Sequence, residues 1–295
     1  MTPLLRAALF ATTATLFFSM MAILIRHVSA ELHALEIVFF RNLLALAWMS
    51  PWLLKVGMAG MKTQRIGMFW FRAGISVVGM TSGFWAVTLI PISEATALSF
   101  LSPIFATVGA ALFLGEDVRM RRWAAVFIGF AGAMLVLRPG ESMIQFGALL
   151  ALINAVAMAA NKLVLKSLTR TERPEAIITY MVLLLTPLTF IPALFVWQWP
   201  TWEALGWMTL LAACGTGGHY CMTRAFGLAD LTVVMPFDFT RLPISALLAY
   251  LLFAEVPTIW TWIGGAVIFA STFYIARREA QVARERAAAA AMPAA

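Results

Sequence analysis

Several ionisable residues stand inside stretches of chain that are otherwise apolar: Arg41, Glu94, His219, Asp238 and Arg241. A charge in hydrocarbon costs at least a few kcal/mol unless it faces a partner or a cavity, so chemistry is sought here first. Arg41, between Phe40 and Asn42, can grip a carboxylate of a bound molecule, or it can pair with a carbonyl or carboxylate and hold two helices together. Glu94 follows Pro91 closely and falls in a first helical turn, where an acidic group complements the helix dipole. Its rival reading is an acceptor for a bound ammonium group. Asp238 and Arg241 are three apart and near one another on a helix. Either they bridge each other, or they line a path and meet a zwitterion. Pro236, just before them, frees a backbone carbonyl and favours a bend.

The neutral polar and aromatic candidates sit in similar runs. His219 and Tyr220 end the segment Cys214-Gly215-Thr216-Gly217-Gly218-His219-Tyr220. His219 reads as a ligand for a substrate or proton, or as a satisfied hydrogen-bond partner between helices. Gly215 and Gly218 allow close packing or a flexible joint. The segment is not a nucleotide loop, because it lacks the Gly-Lys-Ser/Thr ending and follows no strand. Trp85 could stack on an aromatic ring, or it is one of the tryptophans common near membrane interfaces. Tyr180, Asn154 and Asn161 are polar residues that could face the same cavity. Gly79 and Gly83 form a small-xxx-small pair, and Ser102 belongs to a stripe of small residues with Ala95, Ser99 and Ala106; both suit helix packing.

Other chemistries lack their residues. There is no dense Cys/His/Asp cluster for a metal, no Gly-x-Ser-x-Gly elbow and no His-Glu-x-x-His pair. No ATP-binding loop is present, and neither a cofactor nor enzymatic activity is expected. Cys214 and Cys221, seven apart on roughly one helix face, are too far apart for a disulfide within a straight helix and read as buried small residues.

The elements that must position these residues are apolar helices. Of 295 residues, 62% are hydrophobic and 12% charged, and the mean hydropathy is +0.88. A soluble domain carries about twice that charged share. A span needs roughly 20 mostly apolar residues. The candidates are 7–25, 35–54, 67–89, 92–115, 122–137, 143–164, 176–196, 202–225, 231–253 and 258–275. The expected fold is therefore an all-α integral membrane protein of ten transmembrane helices. The tail, 278–295, is polar and then alanine-rich, and suits a disordered or interfacial helical state.

The net charge of +7 does not point to nucleic acid, because the basic residues lie between the apolar runs. Lys55, Lys62, Arg65, Arg119, Arg121, Lys166, Arg170, Arg173 and Arg277 fall on one side of the predicted topology; the other holds little beyond Arg26 and Arg138. The positive-inside rule then puts both termini in the cytoplasm. The chain also repeats. The stretch from Pro91 to Glu116 is echoed from Asp230 to Glu255, at an offset of 139 residues. Glycine- and tryptophan-containing segments follow both copies. Five helices per repeat is an odd number, so residues 1–138 and 139–277 should form two inverted halves.

The runs Phe39-Phe40-Arg41-Asn42, Ser93-Glu94-Ala95, Leu101-Ser102-Pro103 and Leu114-Gly115-Glu116 resemble those of the drug/metabolite transporter superfamily, in its ten-helix branch with two EamA-type repeats. The second half departs from the pattern: Asp230-Leu231-Thr232 and Asp238-Phe239-Thr240-Arg241 replace the Ser-Glu-Ala and Ser-Pro elements of the first. Within the superfamily the chain looks most like the bacterial exporters of aromatic amino acids, methionine and threonine. The resemblance implies an inner-membrane exporter of small amphiphilic metabolites, working by alternating access and expected as a monomer. It also implies a runner-up, uptake of riboflavin or a metabolite like S-adenosylmethionine. The wall of the substrate cavity is expected from the third, fourth, eighth and ninth helices.

Overall fold

The computed structural model describes residues 3–56, 63–113, 120–137, 146–168, 171–228, 234 and 237–290. Among them the regular structure is entirely helical: α1 (Pro3–Val28), α2 (Ala34–Val56), α3 (Ile66–Leu89), α4 (Ile92–Ser99), α5 (Ser102–Phe113), α6 (Met120–Leu137), α7 (Phe146–Leu168), α8 (Pro174–Ala193), α9 (Trp202–Leu228), α10 (Arg241–Phe253) and α11 (Ile259–Ala290). A short 3-10 turn, Leu194–Val196, extends α8. Helices satisfy their own backbone groups, which an apolar surrounding demands. Four helices contain spans long and apolar enough to cross a membrane, within α1, α2, α7 and α8. Outward faces are apolar as well: Leu9, Leu16, Phe127, Leu247 and Leu251 are exposed. That pattern is the reverse of a water-soluble surface.

Helices cover the segments expected as spans, with ends within about a turn in most cases and with instructive differences. The fourth breaks in two, with a turn at Phe100 and Leu101 between α4 and α5. The ninth turns at Phe239 and Thr240 before α10 begins. These turns lie 139 residues apart, the offset of the sequence echo. The two phenylalanines of the turns meet, with ring centroids 4.4 Å apart. Pro51, expected at a boundary, lies inside α2. It cannot donate to the Ala47 carbonyl, and Ser50 Oγ donates to that carbonyl instead at 2.6 Å. Of the two states expected for the tail, the helical one is found as far as Ala290, where α11 ends. Pro236, Asp230 and the Gly115-Glu116 end of the first echo lie outside the described residues.

The helices pair in a pattern that survives exchange of the two halves. α1 packs on α9 as α3 packs on α7; α1 meets α10 as α7 meets α4; and α2 meets α9 as α8 meets α3. α2 with α8, α4 with α10 and α6 with α11 each join one half to the other. Glycines set the closest approaches. A Cβ on Gly132 of α6 would come within 2.9 Å of the Gly264 carbonyl of α11, and one on Gly264 within 2.6 Å of the Gly132 carbonyl. Small residues let helices approach closely where hydrophobic driving force between them is weak.

Candidate functional site

Between these pairs lies a cavity of about 240 Å³, walled by α1, α3, α4, α7, α8, α9, the turn before α10 and Arg241. Its wall therefore draws on more helices than the expected four. The α3–α7 seam runs antiparallel. Ser76 Oγ donates to Asn161 Oδ1 at 2.9 Å, while Gly79 and Gly83 lie against Ala157 and Asn154. A Cβ on Gly83 would sit 2.8 Å from Asn154 Cγ. This close seam brings Asn154 and Asn161 to the cavity wall.

The cavity has two kinds of lining. Met21, Met80, Met158, Met181 and Met222 join Phe18, Phe84 and Phe226 as soft apolar surface. Sulfur and aromatic edges of this kind suit a flat ring. The polar lining includes Arg72, Lys162, His219, Asp238 and Arg241. Asp238 acts electrostatically on both Lys162 and Arg241. Asp238 and Arg241 do not form a contact ion pair; among the described residues that contact is Arg26 with Glu255. Arg241 lies over the Phe18 ring, 5.7 Å from its centroid, and its Nε has no hydrogen-bond partner. His219 meets Phe18 edge-on at 5.2 Å.

The sequence-derived candidates separate. His219, Asp238 and Arg241 converge on the cavity. Arg41 stands behind its wall, fully buried: Nη1 donates to Asn42 Oδ1 at 2.9 Å, and Asn42 Nδ2 donates to Met80 Sδ at 3.5 Å. Gly215 makes room for Arg41, since a Cβ there would sit 2.6 Å from Nη2. Gly218 does the same for Phe18, at 2.8 Å from its Cε1. Trp85 packs on His33 and Phe146, and Tyr180 stacks on Phe69 at 4.5 Å; neither lines the cavity. Glu94 occupies the first turn of α4 and is also off the cavity wall. Ser102 is buried at the start of α5, just past the break. Cys214 and Cys221 are buried free thiols.

Two cavity residues escaped the sequence reading. Arg72 lies within α3 and is 7% exposed. Lys162 lies in α7, near its C-terminal end. The signal for Arg72 was present, an arginine within an apolar run, and it is the same signal that singled out Arg41.

One end of the cavity wall carries a latch. Ile25 and Val87 line the cavity, and Arg26 follows Ile25 directly. Arg26 Nη2 pairs with Glu255 Oε1 at 3.2 Å, and Arg26 also donates to the Thr88 and Ile90 carbonyls. Glu255 Oε2 accepts the Ile92 backbone N–H at 3.0 Å. Two side chains thereby tie α1, the α3–α4 turn and the segment after α10.

A bundle of lipid-compatible helices around a charged, ring-sized cavity defines a membrane carrier for a small molecule. The chain belongs to the EamA-like transporter family, whose profile matches residues 5–138 and again 145–277. It is a transporter, not an enzyme. It is 33% identical to a riboflavin transporter of Rhizobium johnstonii, over 95% of this chain and 93% of that protein. With a riboflavin transporter of Vibrio cholerae it shares 31% identity, over 95% and 96%. With an S-adenosylmethionine uptake transporter of Rickettsia bellii it shares 26%, over 85% and 86%. A solved crystal structure superposes with a TM-score of 0.63 at 20% identity, covering 92% of this chain and 98% of the other; it speaks for the fold alone. The names of these relatives favour the runner-up substrate class over the amino acids placed first.

Proposed function

We propose that this chain is a bacterial inner-membrane carrier for a riboflavin-type metabolite, a planar heteroaromatic ring bearing a polar side chain. The observation that carries the reading is the cavity's composition. Methionine and phenylalanine offer a surface for a flat ring, while Asn154, Asn161, His219, Asp238 and Arg241 supply hydrogen bonds and charge. An amino acid would use the charged groups but leave much of the thioether surface without a partner. Uptake is the direction in the names of the S-adenosylmethionine relatives, and it is the direction proposed here.

The carrier has ten spans in two oppositely inserted halves, with both termini in the cytoplasm. The twofold family match, the turns matched at the 139-residue offset and the exchangeable helix pairings support this arrangement. α4 and α5 together make one span, and α10 with the turn before it makes another. The halves open alternately to either side around the shared cavity. His219, Asp238 and Arg241 contact the substrate; Arg41 positions Met80 through Asn42.

Counterflow in proteoliposomes tests the substrate. Vesicles preloaded with unlabelled riboflavin should accumulate labelled riboflavin, and phenylalanine, methionine and threonine should compete weakly. Accumulation of a labelled amino acid without that of riboflavin would return the chain to the exporter reading.

A further inference from the structure

The cavity's charge does not balance. Arg72, Lys162 and Arg241 bring three positive charges to its wall, and Asp238 is the one carboxylate among the described lining residues. Within an apolar wall an uncompensated charge is costly, and hydroxyls or carbonyls of a neutral ligand supply hydrogen bonds but no counter-charge.

The donors are also unused. Arg72 is buried, its Nε and Nη1 have no hydrogen-bond partner, and its Nη2 reaches only Met181 Sδ at 3.8 Å, a weak acceptor. Arg241 Nε is likewise unpartnered. Lys162 has no ion pair or hydrogen bond to any described residue, although Asp238 and Arg241 act on it electrostatically.

The cations are grouped at one end. In the antiparallel α3–α7 seam, Ser76 pairs with Asn161 and Gly83 faces Asn154, so Arg72 and Lys162 lie within about one helical turn of each other along the seam. Lys162 and Arg241 are near enough to act on each other. Phe84, Val87 and Ala151 line the other end of the same two helices. From Arg72 to Val87 is roughly 22 Å at helical rise, long enough to separate a charged end from an apolar one.

We infer that Arg72, Lys162 and Arg241 form an oxyanion subsite, which receives a phosphate or carboxylate carried on the side chain of the substrate's ring. The inference rests on the riboflavin-type reading for the ring and adds the charged group at its far end. A planar guanidinium matches two oxygens of either group, and the lysine adds a point charge. The carried species is then an anionic flavin, with the ring against the methionines and the oxyanion among the cations. Asp238 holds the excess at two charges, which one phosphate dianion neutralises.

Two measurements on the full chain test this and keep it apart from the ring assignment. In the first, riboflavin counterflow is competed with lumiflavin, which has no side-chain charge, with riboflavin 5′-phosphate and with a 10-carboxyalkyl flavin. The phosphate or the carboxylate should compete about tenfold better than lumiflavin, and the stronger of the two identifies the oxyanion. Arg72→Gln and Lys162→Gln should each bring the ratio of anionic-flavin to lumiflavin competition toward one; Arg72→Lys, which keeps the charge, should retain part of it. Equal competition by all three flavins would overturn the subsite and leave the ring assignment standing.

In the second, thermal unfolding in detergent is followed in inorganic phosphate, acetate and chloride at matched ionic strength. Phosphate or acetate should raise the unfolding temperature of the unaltered protein above that in chloride. If no flavin is carried but this stabilisation is present, the ring assignment falls and the oxyanion subsite stands. If no flavin is carried and the three salts are equivalent, both fall.

Discussion

Arg41 and Gly215 show how a residue that looks functional can serve by position. The guanidinium is fully buried, and its Nε and Nη2 lie against the place where a side chain on residue 215 would begin. Gly215→Ala would bring a Cβ to 2.6 Å from Nη2 and 2.8 Å from Nε. Overpacking of this kind costs about 1–3 kcal/mol. The substitution should therefore lower the unfolding temperature of the purified protein by several degrees, and Arg41→Leu should relieve part of the loss in the double variant. A double variant no better than the product of the two singles would show that Arg41 is not what Gly215 accommodates.

At the scale of elements, the end of α10 carries a backbone cost. Ala254 caps α10 with φ of 54°, and its N–H donates to the helix's last carbonyls. The first echo has glycine at the matching position, Gly115. A left-handed backbone costs a residue with a Cβ about 1 kcal/mol or more relative to glycine. Ala254→Gly should stabilise the protein by up to about 1 kcal/mol, less the added entropy of the unfolded chain. Thermal or denaturant unfolding reads this directly; a loss of stability would mean that the Ala254 methyl group packs in a way that outweighs its backbone. The αL turn also sends Glu255 back toward Arg26 and Ile92.

For the whole molecule, those contacts should govern opening. Glu255→Gln keeps an acceptor for Ile92 but removes the charge facing Arg26, in a pair each about one-fifth exposed. A partly exposed ion pair contributes up to about 1 kcal/mol, so that end should open up to a few-fold more often. With Cys214 and Cys221 replaced, a cysteine at Ala95 on the cavity wall should react a few-fold faster from that side in the variant; an unchanged rate would mean that the pair does not gate access. Sidedness follows from inversion. A cysteine at Asp117 should be labelled from the cytoplasmic side alone, and one at Val256, 74% exposed, from the opposite side alone. Labelling of both from one side would remove the inverted arrangement, and with it alternating access between equivalent halves.

The sequence by itself determined the helices and the repeat. Hydropathy over about twenty residues is a local property, and an echo at 139 residues is visible without folding; even the paired turns at Phe100 and Phe239 lie at that offset. The tertiary structure alone decided which of the intramembrane charges share a cavity. Arg41 and Arg72 carry the same sequence signal, yet one packs behind the wall and the other lines it. Trp85 and Tyr180 likewise turned to neighbouring elements, whereas Lys162 came near Asp238 across more than seventy residues of chain. Which way a helix turns its polar face is set by the ridges and glycines of the helices beside it, and those neighbours are distant in sequence.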